Sequence, residues 1–396
     1  MAADRDVYIV SACRTAIGEF MGGISSLTAP QLGAISIREA VKRAGIDPAQ
    51  VDEVLMGNVV QAGVGQAPAR QAAIHGGIPD TVPAMTVNMV CGSGLKAVMV
   101  AAQAIRAGDA DVIVAGGMES MSNAPYYLPK ARSGYRLGNG ELVDGVIHDG
   151  LWDSFNNFHM GSAAELIAKK FKVTREDQDR FSVESHQKAV RAQKEGAFQD
   201  EIVPVMIPQK KGEPKCFCVD ERPRADASIE TLGKLRPAFE KEGTVTAGNA
   251  PGLNDGGSAV VVMSGDAVAR TGAKPMARVN GYAAGGTSPE MVFYAPVIAV
   301  RKLAEKLGRK TDQWDLIEAN EAFAAQAIVD ARELHWDPAR LNVRGGAVAL
   351  GHPIGASGAR ILTTLLYSMR DRKAKSGLAT LCLGGGNAVA LSVEAV

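Results

Sequence analysis

Three side chains combine a reactive group with enough local backbone freedom for a substrate to reach it. Cys91 lies in Asn88-Met-Val-Cys-Gly-Ser-Gly94, between a strand-like run and the glycine-flanked start of a helix. A helix N-terminus offers unpaired N–H donors and about half a positive charge. Both favour thiolate over thiol, so this position predicts a lowered pKa and a nucleophilic sulfur. Without such a setting, a cysteine is more often a small buried hydrophobe. His352 lies in Gly351-His-Pro-Ile-Gly-Ala-Ser-Gly358, a second tight loop ahead of a helix. An imidazole facing Cys91 can take its proton as a base, although most single histidines are satisfied core or surface residues. Cys382 ends a strand and precedes Gly384-Gly385-Gly386. Backbone stripped of side chains can aim N–H groups at a developing oxyanion, and a second thiol there can shuttle a proton. Asn320, in Asn320-Glu-Ala-Phe323, can fix a water or a carbonyl oxygen, though asparagine at such a place commonly caps the next helix.

The elements that must position these groups alternate strand and helix at both ends of the chain. Gln31–Ala44 has helical spacing and stops at Gly45, and Val51–Leu55 and Met85–Val90 read as strands. Gly92–Arg106 reads as a helix ending at Gly108, followed by a buried strand at Asp111–Ala115. Such βαβ alternation predicts a layered α/β fold. The two ends also resemble each other. Asp52–Asn58 matches Trp314–Asn320, Cys91–Gly94 matches Gly355–Gly358, and Asp111–Gly117 matches Leu378–Gly385, in order and at an offset of roughly 260–270 residues. Two related halves follow, and a pseudo-two-fold between them would turn Cys91 and His352 toward one site. The intervening region, Ser120–Asn249, has a different character: three of the seven tyrosines, lysine pairs, and one clear helix from a capping-box start at Thr174 and Asp177 to about Glu195. It reads as an insertion covering the site. The division expected is 1–119 and 250–273 for the first half, 120–249 for the loop domain, and 274–396 for the second half.

Composition bounds the function. Charges balance at 43 basic and 43 acidic residues, unlike the strongly basic signature of a nucleic-acid binder. No apolar run approaches the roughly 18 residues of a membrane span, and the first residues lack a secretory pattern. The five cysteines (13, 91, 216, 218 and 382) read as free thiols in a reducing, cytoplasmic setting. No GxxxxGK[ST] phosphate loop, HExxH or zinc-spaced Cys/His set occurs. Cys216-Phe-Cys218 is too short and isolated for a metal site and reads as hairpin packing. Gly92-Ser-Gly94-Leu-Lys-Ala97 fits a dinucleotide fingerprint, with Glu119 some way downstream. That reading leaves both Cys91 and the echo of this segment beside His352 unexplained.

The segments Asn88–Gly94, Gly116-Gly-Met-Glu-Ser120, Asn320–Phe323, Gly345–Gly358 and Cys382–Gly386 together resemble the thiolase family, in its order and over essentially the whole chain. A decarboxylating ketoacyl synthase would carry histidine where Cys382 stands. The resemblance implies the thiolase fold: two βαβαβαββ halves in a layered sandwich with an inserted loop domain. It implies that Cys91 carries the acyl group, that His352 assists its deprotonation, and that Cys382 is the acid/base at the substrate α-carbon. One oxyanion hole would use N–H groups of Cys91 and Gly384; the other would use His352 and a water on Asn320. Leu151, Arg224 and Phe239 would contact coenzyme A, with Ala247, His159, Met160, Ala322 and Phe323 lining the acyl end. No cofactor is implied, since coenzyme A thioesters are substrate and product.

Asp149–Asp153 through Phe158–Gly161 resembles the biosynthetic, acetoacetyl-CoA type, which implies acetyl-CoA C-acetyltransferase activity in a homodimer or homotetramer. A degradative 3-ketoacyl-CoA thiolase of broader chain length is the alternative. A non-catalytic acyl-CoA or lipid carrier need not keep Cys91, His352 and Cys382 together. Three departures from the family pattern stand near the site: Pro251 in place of a common serine, Arg344 in place of asparagine, and Asn387-Ala388 after the glycine triplet.

Overall fold

The computed structural model describes residues 5–396. Its centre is one hydrogen-bonded array of strands. From one edge the order is Leu316–Ala319, Ser376–Leu383, Asn387–Glu394, Ala277–Gly286, Val7–Thr15, Asn254–Ser264, Val112–Ser120, Glu53–Gly57 and Ala84–Val87. The two halves meet where Val7–Thr15 and Ala277–Gly286 pair antiparallel, Tyr8 opposite Arg278. Outward from that junction each half repeats one pattern: antiparallel, antiparallel, then parallel. The sequence repeat has this physical basis, because Glu53–Gly57 and Leu316–Ala319 hold equivalent places. So do Val112–Ser120 and Ser376–Leu383.

Helices Ser93–Ala107 and Ile354–Arg372 pack side by side, and each touches strands of both halves. Almost all of the second is buried. Their approach depends on glycine: a Cβ on Gly358 would lie 2.4 Å from the Leu95 nitrogen, and one on Gly94 would lie 2.8 Å from that of Ala359. The outer helix Ala29–Ala44 covers the first half. Thr28 and Gln31 form its capping box, Pro30 sits in its first turn, and Gly45 closes it at φ 68°.

Between Ser120 and Asn254 the chain leaves the sheet, returning only at Ile202–Val203, which pair parallel with Arg14 and Thr15. This excursion holds helices Met160–Lys170 and Arg175–Lys194, the latter started by the predicted Thr174–Asp177 box. It also holds the hairpin Val205–Ile207 with Lys215–Phe217. A buried ion network fastens it down. Arg14 reaches Glu201 at 2.6 Å and Asp220 at 2.7 Å, and Arg344 reaches Glu201 at 3.2 Å and also bonds Asp371. Breaking such a buried set by removing one partner costs roughly 3–5 kcal/mol. Arg344 therefore joins the excursion to the second half, and it does not line the site.

Candidate active site

Cys91 sits on a tight turn. Val90 adopts φ 48°, a left-handed conformation that costs a β-branched residue roughly 1–3 kcal/mol. Local hydrogen bonds hold it there. Asn88 Oδ1 accepts from the Val90 N–H at 3.1 Å, while Ser93 Oγ accepts from Met89 N–H at 2.9 Å and donates to the Val90 carbonyl at 2.6 Å. The sulfur thus projects from the end of the helix Ser93–Ala107 into a cavity of about 280 Å³. His352, Cys382, Gly384, Leu151, His159, Met160, Phe239, Ala322 and Phe323, all singled out in the sequence, line the same cavity.

His352 is held from three sides. Its N–H donates to Asn254 Oδ1 at 2.8 Å, Nδ1 meets Ser357 Oγ at 2.6 Å, and Nε2 lies 3.5 Å from Asn320 Nδ2. Gly351 precedes it at φ 109°, where a Cβ would strike Asn254. The Ser357 hydroxyl donates to the Pro353 carbonyl at 2.9 Å, so its oxygen accepts from Nδ1–H. That assigns the tautomer and leaves Nε2 unprotonated, its lone pair facing Asn320 Nδ2. Burial, with a smaller contribution from Arg360, pushes the imidazole down to about 3, so it is neutral.

The expectation of a lowered Cys91 pKa is overturned. Burial pushes the thiol up to about 12, and Glu119 adds to this. The N–H groups of Cys91 and Gly384 act the other way without cancelling it. Both N–H groups favour the charged sulfur, so two donors act on the position where Cys91 would carry negative charge. The Cys382 thiol is pushed well above its ordinary value by burial, then by Cys91 and Asp330. The pair therefore rests as two neutral thiols beside a neutral imidazole.

Asn320 does not cap the helix Ala324–Glu333, whose N-cap is Phe323. Its Oδ1 is buried with no hydrogen-bond partner among the described residues. Glu119 ties the halves together beneath the site. It accepts from Asn58 Nδ2 at 2.7 Å, Val59 N–H at 3.1 Å, Val60 N–H at 3.2 Å and Gly355 N–H at 2.9 Å. Burial raises this carboxyl to about 7 despite those N–H groups.

The far wall is aromatic. His159 stacks on Phe239 with centroids 4.7 Å apart, and Phe323 meets Phe239 and Phe293 edge-on. His159 Nδ1 accepts from Gly161 N–H at 2.9 Å and so caps the helix Met160–Lys170. Pro251 lines the cavity and offers no N–H. Ala388 stands opposite Cys382 in the strand ladder, fully buried. Arg224 and Ala247 are exposed and lie outside the lining. Val292, Phe293, Ile147 and Leu253 line it without having been singled out; they carry no motif. Ser357, five residues after His352 and in the first turn of the helix Ile354–Arg372, was legible from spacing. Asn254 was not.

Two thiols and an imidazole converging between related halves define a cysteine-dependent acyl-transfer site. The comparisons agree. Residues 7–266 match the model described as "Thiolase, N-terminal domain", and 273–395 match "Thiolase, C-terminal domain". The chain is 56% identical over 389 residues to an acetyl-CoA acetyltransferase of Pseudomonas aeruginosa, covering 98% of this chain and 99% of the relative. It is 55% identical to the acetyl-CoA acetyltransferase of Cupriavidus necator, with the same coverage. The crystal structure of the Bacillus anthracis acetyl-CoA acetyltransferase superposes with a TM-score of 0.98 at 42% identity, covering all of both chains. The chain belongs to the thiolase family.

Proposed function

We propose that the protein is an acetyl-CoA C-acetyltransferase, interconverting two acetyl-CoA with acetoacetyl-CoA and coenzyme A. The observation that carries the reading is one cavity lined by Cys91, His352, Cys382 and Gly384 and walled by Met160, Phe293 and Phe323. In the thiolysis direction, His352 Nε2 takes the Cys91 proton as the sulfur attacks the ketone carbon of acetoacetyl-CoA. The oxyanion receives the N–H groups of Cys91 and Gly384. The bond to the α-carbon then breaks, leaving acetyl-Cys91 and an enolate that Cys382 protonates. A free CoA thiol next gives its proton to the Cys382 thiolate and attacks the thioester, while His352 returns its proton to the departing Cys91 sulfur. The raised Cys382 thiol suits this task, because it holds its proton until a strong base forms beside it. The neutral His352 accepts a proton at Nε2 and thereafter donates from it. With a water on the unpartnered Asn320 Oδ1, it would stabilise the enolate oxygen. The covalent intermediate splits one hard Claisen step into two.

The extended part of coenzyme A leaves the cavity past Leu151, Phe239 and His159 toward the exposed Arg224 and Ala247. We assign no further cofactor, and place the halves at 1–119 with 250–273 and at 274–396, with the loop domain at 120–249. A homodimer or homotetramer is supported by exposed apolar side chains, with Leu137 fully exposed and Tyr126 and Leu142 above 60%. No helix among the described residues is long and apolar enough to cross a membrane. Five free cysteines support a reducing, cytoplasmic setting.

The test is loss of acetoacetyl-CoA absorbance on adding CoA, for wild type, Cys91→Ala and Cys382→Ala. Wild-type thiolysis that both variants lack supports the proposal. Turnover confined to a longer ketoacyl-CoA would keep the chemistry and reassign the substrate. Silence on every ketoacyl-CoA would overturn both.

A further inference from the structure

The hairpin Val205–Ile207 with Lys215–Phe217 has two unlike faces. Val205 and Phe217 stand opposite each other and are 1% and 7% exposed. They do the packing that the sequence assigns to the cysteines. Met206 stands opposite Cys216 on the outward face, and the alternation continues to Cys218, which is exposed beside Cys216. Directly opposed residues in such a ladder have Cβ atoms about 4.5–5.5 Å apart, and same-face neighbours along a strand lie roughly 6.6 Å apart. Side chains of this length bring three sulfurs within reach of one point. The two thiols already interact, since Cys216 as hydrogen-bond partner is the largest influence on Cys218. Met206 is 55% exposed although the hairpin's inner face is already filled, so packing does not account for it.

We propose that this face is a binding site for a soft monovalent metal ion of the Cu(I) class, held by Met206 Sδ and the Sγ atoms of Cys216 and Cys218. Thioether and thiolate donors select such ions. A structural zinc site needs four ligands, and no group of three or more His, Cys, Asp or Glu able to hold a metal occurs among the described residues. On binding, the two S–H bonds break and both protons go to solvent. Two metal–thiolate bonds form, the thioether donates a lone pair, and no electron is transferred. The bound set carries one net negative charge, adjacent to Lys215. None of the three sulfurs lines the acyl cavity, so the site is separate from catalysis.

The test titrates Cu(I) into the reduced full-length protein under anaerobic conditions, against the chelator bicinchoninate. Wild type should hold one more Cu(I) per chain than Cys216→Ser/Cys218→Ser. Cys91→Ala/Cys382→Ala should keep that equivalent. Met206→Leu should bind it less tightly by roughly tenfold or more, at least the 10–100-fold typical of losing an outer-shell partner. Wild-type thiolysis by the Cys216/Cys218 and Met206 variants would show that they fold. Equal Cu(I) binding by wild type and the Cys216/Cys218 variant would overturn the site. So would loss of the equivalent in Cys91→Ala/Cys382→Ala, or unchanged affinity in Met206→Leu.

Discussion

Replacing Ser357 with alanine tests the tautomer on which the proposed base chemistry depends. Ser357 does not itself line the cavity, yet its oxygen receives Nδ1–H of His352 at 2.6 Å while its own proton goes to the Pro353 carbonyl. Without that acceptor, a buried Nδ1–H is left unpaired, at a cost of about 1–3 kcal/mol. The imidazole escapes by moving its proton to Nε2, which removes the lone pair that would accept the Cys91 proton. At about 1.4 kcal/mol per factor of ten, the competent tautomer falls by roughly 5–150-fold. The expected result is a kcat for acetoacetyl-CoA thiolysis reduced by that factor, with KM for both substrates little changed. Ser357→Thr, which keeps the hydroxyl, should recover most of the rate. A kcat for Ser357→Ala within twofold of wild type would refute the tautomer assignment. A fall matched equally by Ser357→Thr would show instead that shape at this position is what matters.

Met160→Ala should widen the acyl end, raising kcat/KM for longer ketoacyl-CoA relative to acetoacetyl-CoA by roughly tenfold or more per methylene admitted; an unchanged ratio would remove Met160 from the chain-length wall. Gly358→Ala puts a methyl 2.4 Å from the Leu95 nitrogen. The overpacking should cost about 1–3 kcal/mol in guanidinium denaturation, and an unshifted midpoint would contradict the close helix crossing. With the free-enzyme Cys91 thiol pushed up to about 12, the thiolate fraction is small at pH 7 and grows tenfold per pH unit. Iodoacetamide labelling of Cys91, followed by peptide mass spectrometry, should therefore accelerate without a plateau from pH 7 to 10. A plateau near pH 8 would show that the local N–H donors outweigh burial.

What the sequence made legible follows from where each determinant lies. Cys91, His352 and Cys382 announce themselves because the glycines that let substrate approach lie within two residues of each. The two halves were legible because each repeats the same strand and helix-start segments in order, and a shared sheet pattern preserves them. The grip on His352 was hidden, because it depends on residues that meet only after the sheet closes. Asn254 lies 98 residues from His352, and Glu119 lies 236 residues from Gly355, whose N–H it accepts. The Cys91 pKa was misread for a related reason. A helix N-terminus is local and visible, whereas desolvation belongs to the assembled cavity and here exceeds it. The same limit governs Cys216 and Cys218. Their spacing puts both on one face of a strand, but only the pairing of Val205 with Phe217 decides that this face points to solvent. Local motifs thus reveal which groups can react, while the long-range pairings decide their protonation and exposure. The Ser357 and Cys91 experiments probe that second layer, since each perturbs or reads a proton whose position the assembled fold sets.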